Sequence, residues 1–352
     1  MKKLMKGLLC SMLAVGFVMT GCAGSTATTP ATTGAGTTAA GTTAAATTGA
    51  KALKVALCVS GKVNDMGWNQ VAYDGLKLVE KDFGAEIAYT ENLGAADIAA
   101  AFSDYAATGY DIVIGHGYEF GDPAIEVAEQ YPDTKFIITE SEVAAANVAS
   151  YVMKCEETAY LEGMLAASLT KTGKIGAIGP IQGASLVKIV NGFEDGAKSV
   201  NPNIEVQTAW TNSFTDTAFA KEAAQAMIES GVDIIKHCAN ESGTGAINAA
   251  KEAGIYAIGD SYDQSSMAPG TILTSALYNV PKLVEAAVKD VVDGKFKGEV
   301  RYLGMAEGIV SLAPYHDLES VIPEAVKTLI SQKAEEMKSG AFKAPYDPKV
   351  RQ

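Results

Sequence analysis

The chain has 352 residues, 48% hydrophobic and 20% charged, enough apolar material for two ordinary globular domains. Its formal charge of −13, from 28 basic against 41 acidic residues, speaks against a nucleic-acid partner, which needs basic patches to neutralise phosphates. Only two arginines occur, Arg301 and Arg351, so a small anionic ligand held by bidentate guanidinium clamps is less expected than a neutral or cationic one.

In chain order, Lys2, Lys3 and Lys6 precede an apolar run from Leu8 to Met19 and then Thr20-Gly21-Cys22. The run is too short to span a bilayer comfortably and fits an export signal. Small residues before a cysteine fit a bacterial lipobox, in which Cys22 becomes the diacylated N-terminus; an ordinary signal with an incidental cysteine is the alternative, because Met19 begins the lipobox less well than leucine. Residues 23–50 are almost entirely Ala, Thr and Gly, uncharged, and read as a flexible linker. Location at the outer face of the cytoplasmic membrane, held by lipid on Cys22, is the expectation. Beyond Cys10 and Cys22 the thiols are Cys58, Cys155 and Cys238, an odd number that implies no disulfide framework.

From Ala52 short apolar runs alternate with amphipathic stretches. LKVALCVSG predicts a strand, NQVAYDGLKLVEKDFG a helix with a glycine stop, AEIAYTEN a strand, DIAAAFSDYAATG a helix and YDIVIGHG a strand; PAIEVAEQYP and TKFIITES continue. The pattern then restarts with TAYLEGMLAASLTKTG, KIGAIGP, SLVKIVNGFEDGAKSVNP and IEVQTAW, followed by TAFAKEAAQAMIESG, VDIIKHCAN, GAINAAKEAG, IYAIGD and TILTSAL. Continuous apolar strands separated by helices imply parallel sheets covered on both faces. Two such α/β halves place a ligand site where the C-terminal ends of their strands face each other. Glycine mixed with Asn, Asp, Ser and an aromatic collects in these loops: SGKVNDMGWNQ, GHGYEFGDP, TNSFTDT, ANESGTG and GDSYDQS. They describe a polar cleft with ring stackers.

The segments GKVNDMGWNQVAYDGL, VIGHGYEFGDPAIEVAEQYPDTKF, KTGKIGAIG, NGFEDGAKSVNP and IYAIGDSYDQSSMAPGTILTSALYNV occur in an order that resembles the basic membrane protein family of substrate-binding lipoproteins for ABC importers, a group that includes purine nucleoside receptors. The resemblance, from about Leu53 to Leu312, implies a type I periplasmic-binding fold: two doubly wound parallel-sheet lobes joined by three crossover strands and closing over a ligand. It implies an N-terminal lobe over 51–153 to which 278–310 return, and a C-terminal lobe over 154–277 on which 311–352 pack. ABC permease and ATPase subunits are the implied partners of a monomer.

Trp68 opens a helix where that family carries Phe; it either stacks on a planar ligand or staples the helix start to its own lobe. Phe214 matches the family's second stacker, and Tyr73 on the Trp68 helix is either a third aromatic or core. Asp65 and Asn69 flank the Trp; Asp65 caps the helix or contacts ligand, and Asn64 suits either duty. His116, Tyr118 and Asp122 lie in GHGYEFGDP, with Asp122 most simply an N-cap and His116 either touching ligand or buried. Asn240 and Glu241 belong to ANESGTG. Where nucleoside-binding relatives place an Asp and a Lys against ribose, this chain has Ser261 and Tyr278, with Asp260 one residue earlier. A purine base, adenine or another, is thereby expected ahead of a nucleoside, although Asp260 could reach a sugar after a local shift. Glu140 stands where the family has Asp, as hinge contact or ligand acceptor.

Enzyme motifs are missing: there is no GxSxG, HExxH, CxxC or phosphate loop, and the three histidines, His116, His237 and His316, form no ligand pattern. No cofactor or metal is expected. A surface receptor feeding a signalling system would use the same cleft, and a flavin is another planar candidate.

Overall fold

The computed structural model describes residues 52–65 and 67–351; the export signal, Cys22 and the linker expected from the sequence lie outside them. In the first half the apolar runs become β1 (Lys54–Val59), β2 (Glu86–Thr90), β3 (Ile112–His116), β4 (Lys135–Thr139) and β5 (Val148–Met153). The amphipathic stretches between them become α1 (Trp68–Phe83), α2 (Ile98–Ala107) and α3 (Gly121–Ala128). Every residue of β3 and β5 is buried, as a strand covered on both faces requires.

The second half runs α4 (Cys155–Leu169), β6 (Lys174–Gly179), α5 (Ala184–Val200), β7 (Glu205–Trp210), α6 (Thr217–Glu229), β8 (Ile234–His237), α7 (Thr244–Ala253), β9 (Tyr256–Gly259) and β10 (Ile272–Tyr278). Four elements follow: α8 (Val280–Val292), β11 (Val300–Leu303), β12 (Val310–Leu312) and α9 (Glu324–Ser339). These four and β5 have no counterpart in the element reading of the sequence. VASYVM lacks a turn signal in front of it, and strands of three or four residues are too short to show a period.

Among the described residues the strands form two six-stranded sheets, in the orders β11-β5-β4-β3-β1-β2 and β12-β10-β9-β8-β6-β7. All neighbours are parallel except β12, which runs antiparallel on β10. β11 lies on β5, with Val300 opposite Ser150, and α8 packs on α1, so a late segment completes the first lobe. β12 and α9 belong to the second lobe, α9 packing on α4. The chain therefore crosses between lobes three times, after β5, after β10 and after β11. Backbone bonds lace the crossings: Lys154 N donates to Leu303 O at 2.9 Å, and Asn279 N to Ile309 O at 2.7 Å. One apolar core runs through both lobes, while separate clusters seal the far faces under α2 and α3 and under α6 and α7.

The tail after α9 straps the lobes together. On the second lobe Asn191 Nδ2 donates to the carbonyls of Asp347 and Lys349, both at 2.8 Å, and Arg351 forms a two-pronged pair with Asp195 at 2.7 and 2.9 Å. On the first, the Tyr346 hydroxyl donates to Glu142, which also accepts from Tyr302 of β11 at 3.1 Å.

Candidate functional site

A cavity of about 490 Å³ lies between the lobes at the C-terminal ends of their strands. Its first-lobe wall includes Ser60, Gly61, Trp68, Asn69, Tyr118 and Glu119; its second-lobe wall includes Phe214, Asn240, Asp260 and Ser261, with Tyr278 at a crossing. A broader open depression of about 660 Å³, bordered by His316, Glu319 and Lys327, sits away from the strand ends and is walled by solvated charges. Geometry of the fold places the chemistry in the former.

Trp68 is the first residue of α1, and Asp65 fixes that helix start. The Asp65 carboxylate accepts from the amides of Gly67, Asn69 and Gln70 at 2.9, 3.1 and 3.0 Å, satisfying N–H groups that a helix start leaves open. Asn69 joins it, donating from Nδ2 to Asp65 at 2.7 Å while its Oδ1 accepts from the Gly61 amide. His116 lies behind the tryptophan, ring centroids 4.0 Å apart and nearly parallel at 24°. Burial pushes the imidazole down to about 3, so it is neutral. Its tautomer follows from its partners. The Trp68 carbonyl can only accept, so Nε2 donates to it at 3.0 Å; Nδ1 then accepts from the Thr139 hydroxyl at 2.8 Å, whose oxygen accepts from the Gly117 amide. One face of Trp68 is thus backed by His116.

Phe214 sits in the turn between β7 and α6, where Asn212 takes a positive φ of 55° and Ser213 Oγ accepts from the amides of Thr215 and Asp216. Asp216 caps α6 at the Ala218 amide. The turn leaves the Phe214 ring 39% exposed on the cavity. Asn240 crosses the cleft: a Cβ on Gly67 would stand 2.8 Å from its Oδ1, so the lobes meet there through a glycine.

The remaining polar groups of the wall are largely paired. Asp260 receives Tyr278 Oη at 2.9 Å on Oδ1 and Ser261 Oγ at 2.8 Å on Oδ2, with the Lys236 ammonium 3.7 Å from Oδ1. Lys236 is fully buried between Asp260 and Glu162, the latter 2.5 Å away. Burial pushes Glu162 up to about 7, whereas the two carboxylates outweigh burial and hold Lys236 above its ordinary range, so the lysine is charged. Glu140 follows β4 at a φ of 56°, accepts from the Met153 amide at 2.7 Å and lies 3.8 Å from buried Lys188. It therefore serves the crossing and faces the cavity at once.

Six sequence candidates lie outside the lining. His116 is fully buried behind Trp68 and supports the ring. Asp65 is spent on the helix start, and Asn64 is exposed. Tyr73 packs edge-on against Tyr89, centroids 5.0 Å apart. Asp122 is exposed within the first turn of α3, which begins at Gly121, so its charge suits the helix terminus without capping it. Glu241 is exposed in the short turn after Asn240. Sequence reasoning missed Ser60, Gly61 and Glu119. Their position directly after β1 and β3 was the available signal.

The family model for PnrA-like ABC transporter substrate-binding proteins matches residues 52–347. A purine-binding protein of Brucella abortus is 32% identical over 291 residues, covering 82% of this chain and 81% of its own. The transcriptional activator protein med of Bacillus subtilis is 30% identical over 284 residues, covering 79% of this chain and 89% of its own. Among solved structures, a solute-binding protein of an ABC transporter system from Aeropyrum pernix superposes with a TM-score of 0.74 at 24% identity, covering 84% of this chain and 94% of that one. The likeness to that structure bears on the fold, the type I periplasmic-binding arrangement of two lobes. With the crossings, the interlobe cavity and the family match in agreement, this chain belongs to the PnrA-like family of ABC transporter substrate-binding proteins.

Proposed function

We propose that this protein captures a flat nitrogen heterocycle, a purine base ahead of a nucleoside, and presents it to an ABC permease and its ATPase from a lipid anchor on Cys22. The observation that carries the reading is the placement of Trp68 and Phe214, from different lobes, on one interlobe cavity, with His116 backing Trp68 so that its other face is the one left for ligand. Stacking between two rings suits a planar π-system and gains little from a sugar. The preference for a base is supported by Asp260, which already receives Tyr278 and Ser261 and has the Lys236 ammonium beside it, so that fewer of its acceptor positions remain for ribose hydroxyls. The purine-binding relative from Brucella is consistent with this ligand class.

Native mass spectrometry of the purified protein, followed by titration with bases, nucleosides, flavins and sugars, tests the reading. Purines are expected to bind, and Trp68→Ala to weaken them by about 1 to 3 kcal/mol, tenfold to a hundredfold or somewhat more. Tight binding of a monosaccharide or amino acid alongside silent purines and a neutral Trp68→Ala would return both rings to packing roles.

A further inference from the structure

Three carboxyl side chains face the cavity, Glu119, Glu140 and Asp260, and no lysine, arginine or histidine lines it among the described residues. Two of the three are answered from within the protein. Asp260 has Tyr278, Ser261 and Lys236; Glu140 has the Met153 amide and Lys188. Glu119 differs, since no ion pair reaches it among the described residues, and only the Ser60 hydroxyl and its own backbone amide partly offset its burial. It is held in place by Gly117, whose φ of 135° and missing Cβ let the carboxylate lie where a side chain would stand 2.5 Å from Oε2. Leu93, Ala95 and Ile98 line the same cavity and give the group an apolar setting. Burial accordingly raises the Glu119 carboxyl above its ordinary range.

An ionised carboxylate only accepts, and it offers about four lone-pair directions over two oxygens. Beyond what the Ser60 hydroxyl and the Glu119 amide supply, the directions that face the cavity need donors. We propose that Glu119 is the specificity-determining residue of this site, selecting planar ligands that present two adjacent N–H donors on one edge, as the ring N–H and exocyclic amine of a guanine-type base do. Hypoxanthine offers one such donor. Adenine sets a ring-nitrogen lone pair beside its amine and so opposes one carboxylate oxygen. The inference rests on the planar-heterocycle reading given above and narrows its ligand.

Calorimetric titration of the purified protein with guanine, hypoxanthine and adenine tests it, alongside Glu119→Gln with its melting temperature as a fold control. The wild type is expected to prefer guanine over adenine by about tenfold or more, with hypoxanthine between, because a hydrogen bond to a charged group outweighs a neutral one. Glu119→Gln, whose amide presents one donor and one acceptor, is expected to weaken guanine by about tenfold to a hundredfold while leaving adenine unchanged or tighter. Adenine binding the wild type as well as guanine, or all three bases weakening alike in Glu119→Gln, overturns the assignment. If no base binds and Trp68→Ala is silent toward the ligand found by mass spectrometry, the planar reading fails and this assignment with it; if bases bind through Trp68 without regard to Glu119, the assignment fails alone.

Discussion

His116 shows how a residue can serve a binding site without touching ligand. Its ring carries two hydrogen bonds and one stacking contact, all aimed at positioning Trp68. Truncation by His116→Ala opens a cavity behind the indole and strands the Trp68 carbonyl and Thr139 hydroxyl. A stability loss of about 2 to 4 kcal/mol is expected in urea unfolding, with ligand binding weakened less than by Trp68→Ala. The same residue sets a pH dependence. Folded His116 titrates near 3 against 6.5 for an ordinary histidine, so below 6.5 the unfolded chain gains a proton that the native state refuses. Stability is therefore expected to fall as pH drops from about 6.5 toward about 3 and to be flat above it as far as this group is concerned. Urea midpoints at pH 7.5 and pH 5 check this: the decline should be smaller in His116→Phe, and an unchanged decline would remove His116 as its source. In the sequence, His116 between two glycines after a strand was a visible anomaly. Whether its ring faced ligand or tryptophan depended on α1, 48 residues away, and no local pattern encodes that.

At the scale of elements, most strands and helices of both halves were legible because their periods are regular, whereas β5, the four elements after β10 and the charge placement were not. TAYLEGMLAASL reads as a helix, yet α4 is buried from Cys155 to Ala166, acidic residues included. Glu162 in α4, Lys236 in β8 and Asp260 after β9 come from three separate segments and make sense only once those segments are packed together. Charged residues in strands and helices ordinarily signal a solvated face, so the buried set gave no sign of itself in the sequence. Removing its cation has a definite expected cost: Lys236→Met leaves Glu162 and Asp260 facing each other without a counter-ion and should lower stability by about 3 to 5 kcal/mol. Urea unfolding measures it. Glu162→Gln in the same background should recover part of the loss by relieving one buried charge, and failure to recover any would mean that the lysine acts through packing alone.

For the whole molecule, two lobes joined by three crossings are expected to hinge on ligand binding, and small-angle scattering with and without a saturating ligand is expected to show a smaller radius of gyration when ligand is bound. An unchanged radius across every saturating ligand would count against closure. The proposed lipid anchor on Cys22 has its own test: Cys22→Ser is expected to release the protein into the medium or leave an unprocessed precursor, and retention of a processed form on the membrane would rule out the lipid. The two-lobe plan could be read from the restart of the α/β pattern. The tail strap could not, because residues 341–351 carry no regular structure and its partners, Asn191, Asp195, Glu142 and Tyr302, are far away in sequence.

That strap makes the C-terminal tail a natural place to listen to the lobes. Tyr346 is itself 42% exposed, lies 5.8 Å from the buried Lys188 ammonium and shares Glu142 with Tyr302 of the opposite lobe. Cys58, Cys155 and Cys238 are all buried free thiols, so a single cysteine introduced at 346 would take a thiol-reactive dye ahead of them. Because the strap ties both lobes, its emission is expected to respond to lobe closure, turning the protein into an optical reporter of its own occupancy.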